Sequence, residues 1–471
     1  MMYNSRIRQL IRQNMAPDRL RSTMNTKINT ESKKHIYRFF WQTLVSVITL
    51  LPFVYLWNTK LNPLLGQSFL NKGNILMWII YLILMWTFMY VFNGFQIGLG
   101  RKSHLYIGQC IAYTCLNAVE IMITILMVGR VKYIGVILLT YAKLYVVQMV
   151  LMFLLTNFGT DLYRKVIPAY RMLNITGVHD NNLDIRLSGY RAKYKFDQTI
   201  SCNENIEEIK ACILQYDAIL LNDLPDEVRN QILKFCFEKG KRVYFPPKIS
   251  DIIIKSSDEM NLVDTPLYIC KNTDISLAQR FLKRVMDIVI SLTGIIITSP
   301  IMLITAIAIY AYDRGPVLYK QVRCTKGNRE FKICKFRSMV VNAEKDGKAQ
   351  LAKENDSRIT PIGKIIRSMR IDELPQFFNI LKGDMSVVGP RPERPELIEK
   401  NCMKIPEFAY RTRVKAGLTG YAQVYGKYNT SFIDKLKLDL IYVSNYSILM
   451  DIHLIFLTLK IIFIKDSTEG V

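Results

Sequence analysis

The distribution of apolar and polar residues divides the chain into three regions. Four apolar stretches occupy the first third, and each reaches the roughly 20 residues that a helix needs to cross a bilayer. They cover Ile36–Trp57, Ile75–Phe95, Leu105–Val128 and Tyr133–Leu155. We therefore predict a cytoplasmic tail (1–34), a four-helix transmembrane bundle (35–157), an α/β middle domain (165–270) and an α/β C-terminal domain (277–471).

Basic residues predict the orientation of these helices. The first 34 residues are rich in Lys and Arg and lack the apolar run of a signal peptide, whereas the loop after the first span has only Lys60 and Lys72. We expect the N-terminus and everything after the fourth span to be cytoplasmic. Glu120 and Lys143 fall inside predicted spans, and we expect both to pack inside the bundle, paired with each other as one option.

A fifth apolar stretch, 285–312, has a different pattern. Ser299 and Pro300 lie at its middle, where proline removes a backbone donor and kinks a helix. Both flanks are basic, which predicts that the segment enters the membrane and returns on the same face as a re-entrant helix, with Ser299 satisfying backbone groups freed by Pro300. The alternative is a fifth full span with a proline kink.

The middle domain has the pattern of a Rossmann-like α/β fold. "AYRMLNITGV", "DAILLND" and "KRVYFPP" read as strands, and "PDEVRNQILKFCFEKG" reads as a helix between the last two. The first strand is not followed by the glycine-rich dinucleotide motif. A role in regulation or assembly is favoured over a dinucleotide site.

The net charge of the chain limits the classes of partner that it is expected to bind. The 471 residues carry a net charge of +24, and 50% are hydrophobic. This balance indicates anionic partners, and the basic stretch beside the fifth apolar segment favours membrane lipids and phosphorylated lipids over nucleic acid. Nine cysteines without a C-x-x-C pair indicate a reducing compartment, and four scattered histidines indicate no zinc site.

The last third contains the residues suited to phosphoryl chemistry. "VLYKQV" and "FKICKF" alternate like the strands of a hairpin. Asp372 and Glu373 follow as an acidic pair, and Arg391 lies between two prolines after Gly389. The pair supplies a nucleophile and an oxygen ligand for a divalent cation, while a guanidinium holds phosphate oxygens. The alternative for Asp372 is an N-cap of the next helix. Further positive charge comes from Lys335, Arg337, Arg367 and Arg370.

Two more stretches complete this region. "VKAGLTGYAQVYGKYN" contains Gly417, Gly420 and Gly426, which indicate either close approach of the backbone to a ligand or tight turns. The apolar, periodic stretch from Phe432 to Lys465 predicts one or two interfacial amphipathic helices rather than a full span.

Five stretches together resemble a known family. "KRVMDIVIS…SP", "CKFRSM", "DELPQFFNILKGDMSVVGPRP", "GLTGYAQVYG" and "KLDLIYVSNYSILMD" occur in the order of the bacterial sugar transferase domain of the monotopic phosphoglycosyl transferases. The whole chain resembles the long form, the polyprenyl-phosphate hexose-1-phosphate transferases. The resemblance implies an enzyme of the bacterial inner membrane that begins exopolysaccharide, capsule or lipopolysaccharide O-antigen synthesis.

The resemblance also implies residue roles. Asp372 would attack the sugar-linked phosphate of a UDP-sugar and release UMP, and undecaprenyl phosphate would then take the sugar phosphate from the enzyme. Glu373 would be the catalytic partner and the Mg²⁺ ligand, and Arg391 would hold a phosphate. The segment around Ser299 and Pro300 would be the re-entrant helix. Lys335, Arg337 and Arg367 match basic positions near the site.

Three positions depart from the family pattern: Ala416, Tyr421 and Lys427 stand where proline, tryptophan and arginine are common. These departures do not change the reaction that the resemblance implies, but they leave the contacts with the sugar undefined. The sequence therefore does not predict the sugar or the glycan. It also does not predict homo-oligomerisation. A non-catalytic membrane scaffold or nucleotide-binding sensor is the alternative function, and it leaves the acidic pair and the Pro-Arg-Pro loop unexplained.

Overall fold

A computed structural model of the chain describes residues 17–98, 102–177, 183, 193–270, 275–341, 343, 356–426 and 430–462, with side chains from residue 33 to residue 461. The chain forms two compact units, Met1–Pro246 and Pro247–Val471. The second unit therefore includes 247–270, which the sequence pattern assigns to the middle domain. Five helices in the described residues are long and apolar enough to cross a membrane, four in the first unit and one in the second.

Four long helices begin the first unit, and each overlaps a predicted span. They are α1 (Pro17–Leu56), α2 (Asn71–Val91), α3 (Lys102–Val128) and α4 (Ile134–Val166). The helices α1 and α4 extend well past the apolar stretches and include polar residues at their ends. This is a membrane protein with a helical N-terminal region.

Small and polar residues fit these helices together. Gly159 of α4 lies against Trp41 of α1, and a Cβ there would come within 2.1 Å of the indole ring. The Gly159 carbonyl also accepts a hydrogen bond from the Tyr37 hydroxyl at 2.7 Å. Glu120 is buried as expected, but Lys143 is exposed, so the prediction that both pack inside the bundle is wrong for Lys143. An exposed face of an apolar helix lets a lysine side chain extend toward the polar headgroups.

A parallel sheet follows these helices. The sheet has four strands: β1 (Tyr170–Thr176), β2 (Tyr194–Ser201), β3 (Ala218–Asn222) and β4 (Arg242–Tyr244). Their order in the sheet is β2-β1-β3-β4. The helical connections are α5 (Ile206–Ile213) and α6 (Asp226–Glu238). All three neighbouring pairs run parallel. The core packs Leu173 and Ile219 of the sheet against Ile209 and Ile232 of the helices. The predicted β1, β3, α6 and β4 are confirmed, and β2 and α5 are additional elements.

The second unit contains α7 (Ile249–Lys255), β5 (Asp258–Leu262), β6 (Thr265–Ile269), α8 (Leu277–Asp313), β7 (Leu318–Cys324), β8 (Glu330–Phe336), α9 (Pro361–Ser368), α10 (Gln376–Lys382), β9 (Ser386–Val388), α11 (Pro395–Lys404), β10 (Gly417–Thr419), α12 (Tyr421–Tyr425), α13 (Phe432–Ser444) and α14 (Ile448–Ile462). Strands β7 and β8 form the predicted antiparallel hairpin. The stretch near the end of the chain forms two helices, α13 and α14, so the two-helix alternative is confirmed. The region is an α/β domain.

The long helix α8 is one continuous element with Pro300 inside it. Because Pro300 has no N–H, the Ile296 carbonyl lacks its usual donor four residues later. The Ser299 hydroxyl donates to that carbonyl at 2.9 Å, which is the compensation expected for this pair.

One side of α8 packs along the α/β domain from end to end. Near its start the Asp287 carboxylate accepts from the Val387 amide at 2.8 Å, and near its end Ile309 packs on Phe336 and Ile366. Apolar side chains on its other faces are exposed: Val289, Leu292, Ile296, Ile297, Leu303, Ile304 and Ile307.

A buried ion pair ties α8 to α14. Lys283 lies 2.7 Å from Asp451, and its ammonium group also donates to the Val388 carbonyl at 2.9 Å. The Tyr442 hydroxyl donates to the other oxygen of Asp451 at 2.7 Å. Since Val388 ends β9, this contact also fixes the residues that lead into the Pro-Arg-Pro loop.

Candidate active site

The acidic pair lies on a single 3-10 turn, Ile371–Glu373, between α9 and α10. Arg370 precedes the turn in the left-handed region at φ 55°, a conformation that commonly ends a helix, here α9. Helix α10 begins at Gln376, and its N-cap position is Pro375, with no side-chain hydrogen bond. The N-cap interpretation of Asp372 is therefore wrong, and the carboxylate is left for another role.

Glu373 is surrounded by positive charge. Its Oε1 lies 2.9 Å from the Lys335 ammonium and 3.1 Å from the Arg391 guanidinium, while its Oε2 lies 3.9 Å from Arg370. Burial alone would raise the pKa of Glu373, but Lys335 and Arg391 outweigh it and hold the pKa well below its usual range. Glu373 is ionised at any physiological pH and holds these cations in place.

Asp372 has a different environment from its neighbour. Within the described residues, its carboxylate accepts no hydrogen bond. Burial, followed by the negative charge of Glu373, raises the pKa of Asp372 to about 6, against the opposing effect of Lys335, Arg367 and Arg391. A carboxylate with accessible oxygens, poorly solvated and next to several cations, is suited to attack an anionic phosphorus centre.

The other predicted site residues are placed as follows. Lys335 and Arg391 contact Glu373 directly, and Arg367 acts on Asp372 through its charge. Arg337 is not brought to the acidic pair: its guanidinium forms a two-point ion pair with Asp313 at the end of α8, with Nη1 to Oδ2 at 2.6 Å. Its phosphate-binding role stays a prediction. Ser299 and Pro300 lie within α8 and, among the described contacts, make none with the acidic pair.

The loop that presents Arg391 is held from behind by a buried arginine. Arg411 donates to the Arg391 carbonyl at 3.1 Å and pairs with Asp439 at 2.7 Å and Glu393 at 3.3 Å. Arg411 and Asp439 are both buried. The sequence analysis missed this group because the partners are scattered along the chain, and only the acidic residue inside the apolar α13 gave a signal.

The hairpin β7–β8 supports the same loop. The Cys324 amide donates to the Glu393 carbonyl at 2.9 Å, and the Arg323 guanidinium donates to the Pro392 carbonyl at 3.3 Å. These bonds fix the backbone on the far side of Arg391, so its guanidinium is positioned by the fold as well as by Glu373.

The glycine-rich stretch makes close backbone contact with this loop. The Gly417 amide donates to the Pro390 carbonyl at 2.9 Å, and the Gly389 amide donates to the Thr419 carbonyl at 2.8 Å. A Cβ on Gly417 would lie 2.1 Å from the Gly389 nitrogen. The glycine is required here by close approach to the protein's own backbone, and approach of this stretch to a ligand stays a prediction. Lys427 lies outside the described residues.

Asn379 positions the lysine of the site, and the sequence analysis also missed it. Its side chain accepts from the Cys334 amide at 2.9 Å and donates to the Lys332 carbonyl at 2.9 Å. These two bonds join α10 to β8 one residue before Lys335. The distance between the acidic turn and its lysine partner is therefore set by a buried amide.

The carboxylates of the acidic pair can supply some of the oxygen ligands that a divalent cation needs. Hard cations such as Mg²⁺ prefer oxygen ligands and commonly take one or two carboxylates plus substrate phosphates and water. Asp372 and Glu373 offer carboxylate oxygens, and Glu373 Oε2 has only the 3.9 Å contact with Arg370. No cluster of three or more His, Cys, Asp or Glu able to hold a metal occurs in the described part of the chain. Remaining ligands would come from substrate and water.

Comparison with known proteins identifies similarity in this same region. Residues 278–465 match the model of the family described as bacterial sugar transferase. A Bacillus subtilis protein, provisionally named an undecaprenyl-phosphate N-acetylgalactosaminyl 1-phosphate transferase, is 51% identical over 130 residues, which cover 28% of this chain and 72% of that protein.

Two longer relatives match more of the chain. An Aeromonas hydrophila protein named UDP-N-acetylgalactosamine-undecaprenyl-phosphate N-acetylgalactosaminephosphotransferase is 37% identical over 263 residues, 53% of this chain and 59% of the relative. A Klebsiella pneumoniae protein named UDP-glucose:undecaprenyl-phosphate glucose-1-phosphate transferase is 38% identical over 253 residues, 52% of this chain and 54% of the relative. The matched stretch thus spans little more than half of these two relatives, and their names give different sugars.

Proposed function

Because the chain belongs to the bacterial sugar transferase family, we propose that it transfers a hexose-1-phosphate from a UDP-sugar to undecaprenyl phosphate and releases UMP. The observation that carries the proposal is the unequal pair: within the described residues Asp372 accepts no hydrogen bond, whereas Glu373 pairs with Lys335 and Arg391 through its Oε1. One carboxylate can therefore react while the other organises the positive charge that an anionic substrate requires.

In the first half of the reaction, an Asp372 oxygen attacks the phosphorus that carries the sugar. The new bond joins the carboxylate to that phosphorus, the anhydride bond to the α-phosphate breaks, and UMP leaves with the electron pair. Arg391 and Lys335 neutralise the charge on the phosphate oxygens as the bond breaks. No proton transfer is needed, because the nucleophile is ionised above its pKa of about 6.

In the second half, an oxygen of undecaprenyl phosphate attacks the same phosphorus. The bond to Asp372 breaks, the carboxylate is regenerated, and undecaprenyl-diphosphate-sugar leaves. The same cations serve both halves because each transition state carries negative charge on the same phosphoryl oxygens. Mg²⁺, when bound by Glu373 together with Asp372 or substrate oxygens, would supply further neutralisation of the diphosphate.

The placement of α8 supports a one-sided membrane attachment. A helix that crossed the bilayer would have its two ends on opposite sides, yet α/β elements pack near both Asp287 and Ile309. Its exposed faces are apolar, and basic residues flank both ends. These features favour a re-entrant α8 with the kink at Ser299 and Pro300, and a catalytic domain and N-terminus on the cytoplasmic side of the inner membrane.

Other parts of the proposal follow from the same assignment. The product would begin exopolysaccharide, capsule or lipopolysaccharide synthesis. We place the four-helix transmembrane bundle at 35–157, the Rossmann-like domain at 165–270 and the catalytic domain at 277–471, with α13 and α14 as interfacial helices. Residues 247–270 of the Rossmann-like assignment belong to the second compact unit. The parallel sheet, with strand order β2-β1-β3-β4, supports the Rossmann-like assignment.

The test is UMP release by the full chain in detergent or lipid, with Mg²⁺, undecaprenyl phosphate and a panel of UDP-sugars. We expect release with one sugar or a small group, and none from Asp372→Asn. Asp384→Asn, which changes a carboxylate just beyond the C-terminal end of α10, is the matched control and should keep its activity. Release by Asp372→Asn at the wild-type rate, or no release with any sugar, would favour the scaffold alternative.

A further inference from the structure

A glutamate lies buried among the first four helices without a hydrogen-bonding partner in the described residues. Glu120 of α3 is 0% exposed, and neither of its carboxylate oxygens accepts a hydrogen bond there. Lys143 of α4 is exposed, so the option that these two residues are paired is wrong. Sugar-phosphate transfer uses neither residue, so the buried carboxyl group requires a separate explanation.

The helices packed around Glu120 offer it no positive charge. The titratable side chains in this interior are tyrosines: Tyr81 of α2, Tyr141 of α4 and, two turns earlier on α3 itself, Tyr113. Tyr81 and Tyr141 lie close enough for a charge on Glu120 to act on them, and α1 contributes the uncharged Thr49. No cation among the described residues acts on the Glu120 carboxyl group. An ionised carboxylate in these surroundings is strongly unfavourable, whereas a protonated one is neutral.

A line of hydrogen bonds through the same interior joins all four helices. Gln148 of α4 accepts from Asn117 Nδ2 of α3 at 2.8 Å and donates to the Tyr81 hydroxyl of α2 at 2.7 Å. The Tyr81 hydroxyl donates in turn to the Thr49 carbonyl of α1 at 3.3 Å. The proton of Tyr81 is therefore already used and does not satisfy Glu120.

Two acceptor groups on one face of α3 lack a donor among the described residues. They are the Glu120 carboxylate and Asn117 Oδ1, which belong to residues three apart and therefore neighbours on the helix surface. The Thr124 hydroxyl donates to the Glu120 carbonyl at 2.8 Å and pairs with the Tyr141 hydroxyl at 2.9 Å. Tyr141 is thus the donor of that second bond, and its proton is used as well. One proton on Glu120 would supply the missing donor, because a protonated carboxyl group both donates and accepts.

We propose that Glu120 is a proton-binding site in the interior of the helical region, with its carboxyl group protonated at pH 7 and donating to Asn117 Oδ1. A proton neutralises the carboxylate, supplies the missing donor and requires no cavity. The added bond extends the line from Thr49 through Tyr81 and Gln148 to Asn117 and Glu120. Release of the proton would leave a charge among the helices, so their packing depends on it. The site uses none of the residues assigned to sugar-phosphate transfer and is independent of the proposed function.

The test is infrared spectroscopy of the full chain in neutral detergent at pH 7, with wild type compared with Glu120→Gln. The carbonyl stretch of a protonated carboxyl group is at a higher frequency than the bands of a carboxylate, so the difference spectrum shows which form the variant has lost. We expect the loss of one protonated carboxyl group per chain. Glu208→Gln, which changes an exposed glutamate of α5, is the matched control and should lose carboxylate absorption only.

Thermal unfolding of the same variants gives a second measurement. Glutamine has the shape of a protonated glutamate, is uncharged and can donate to Asn117 Oδ1, so Glu120→Gln should unfold at a temperature no lower than wild type at pH 7.

Two results would overturn the proposal. Loss of carboxylate absorption only from Glu120→Gln would show that Glu120 is ionised at pH 7. Failure of that variant to fold, or unfolding at a clearly lower temperature, would indicate a carboxylate that holds a bound cation in place of a proton. Neither measurement depends on sugar-phosphate transfer, so failure of the proposed function would leave both results unchanged.

Discussion

At the residue scale, the two adjacent carboxylates differ because their neighbours differ. Lys335 and Arg391 bind Glu373 and lower its pKa, while burial and the Glu373 charge raise the pKa of Asp372 to about 6. The sequence predicted that an acidic pair and the loop arginine belong together. It could not predict which carboxylate is held by the cations, because that depends on the direction of side chains on a single 3-10 turn.

This difference predicts a pH dependence. An attacking Asp372 must be ionised, so kcat/KM for UMP release should fall as the pH drops through about 6, to about a tenth of its plateau one pH unit lower. Glu373→Gln removes the neighbouring negative charge, so the acid limb of the remaining activity should move to lower pH. A rate constant that is flat between pH 5 and pH 7 would contradict the assignment of Asp372.

A second residue-scale prediction concerns Arg411. Arg411→Met leaves Asp439 buried without its cation, and breaking a buried pair typically costs about 3–5 kcal/mol. We expect the free energy of unfolding to fall by that order. Arg411→Met/Asp439→Leu should recover part of the loss, since it removes both charges. Arg413→Met, an exposed neighbour, is the control and should be nearly neutral.

At the element scale, hydrophobic periodicity predicted individual helices and strands, but it did not predict the packing of elements that are distant in sequence. Alternation predicted the hairpin β7–β8, and apolar length predicted four helices that overlap α1 to α4. The element ends were less predictable, since α1 and α4 continue through polar residues. The contacts that build the site join β7, β9, β10 and α13, which are distant in sequence. No local pattern links Arg411 to Asp439 or Gly417 to Gly389.

The contact between β9 and β10 gives a prediction at this scale. Gly417→Ala places a methyl group 2.1 Å from the Gly389 nitrogen, so the two strands must separate. Overpacking of this kind costs about 1–3 kcal/mol, and it should also displace the loop that carries Arg391. We expect lower thermal stability together with lower kcat/KM. Gly135→Ala, where no heavy atom lies within 4 Å, is the control. Unchanged activity in Gly417→Ala would show that the loop does not depend on β10.

At the scale of the whole molecule, the basic flanks and the proline of α8 predict a re-entrant helix, whereas its length and composition alone predict a full span. By composition alone α8 is a fifth helix able to cross a membrane. Its packing on the α/β domain near both ends supports the one-sided arrangement that the charge pattern predicted. The role of the region that contains the parallel sheet could not be predicted, because a sheet of this type defines a framework and not a ligand.

The one-sided arrangement can be tested by cysteine labelling. In a chain with all other native cysteines replaced by serine, Cys270 before α8 and a cysteine from Glu330→Cys after it should react with an impermeant maleimide from the same side of sealed vesicles. Lys60→Cys, in the loop after α1, should react from the opposite side. Reaction of Cys270 and the position 330 cysteine from opposite sides would show that α8 crosses the membrane.

In the proposed reaction, the sugar phosphate passes through a covalent bond to Asp372. The most direct measurement is the intact mass of the full chain after incubation with the active UDP-sugar in the absence of undecaprenyl phosphate. We expect a mass increase of one sugar phosphate, with an equal amount of UMP released. The adduct should map to the peptide containing Asp372, disappear when undecaprenyl phosphate is added, and be absent from Asp372→Asn. UMP release that requires the acceptor and leaves no adduct would contradict it and indicate direct transfer.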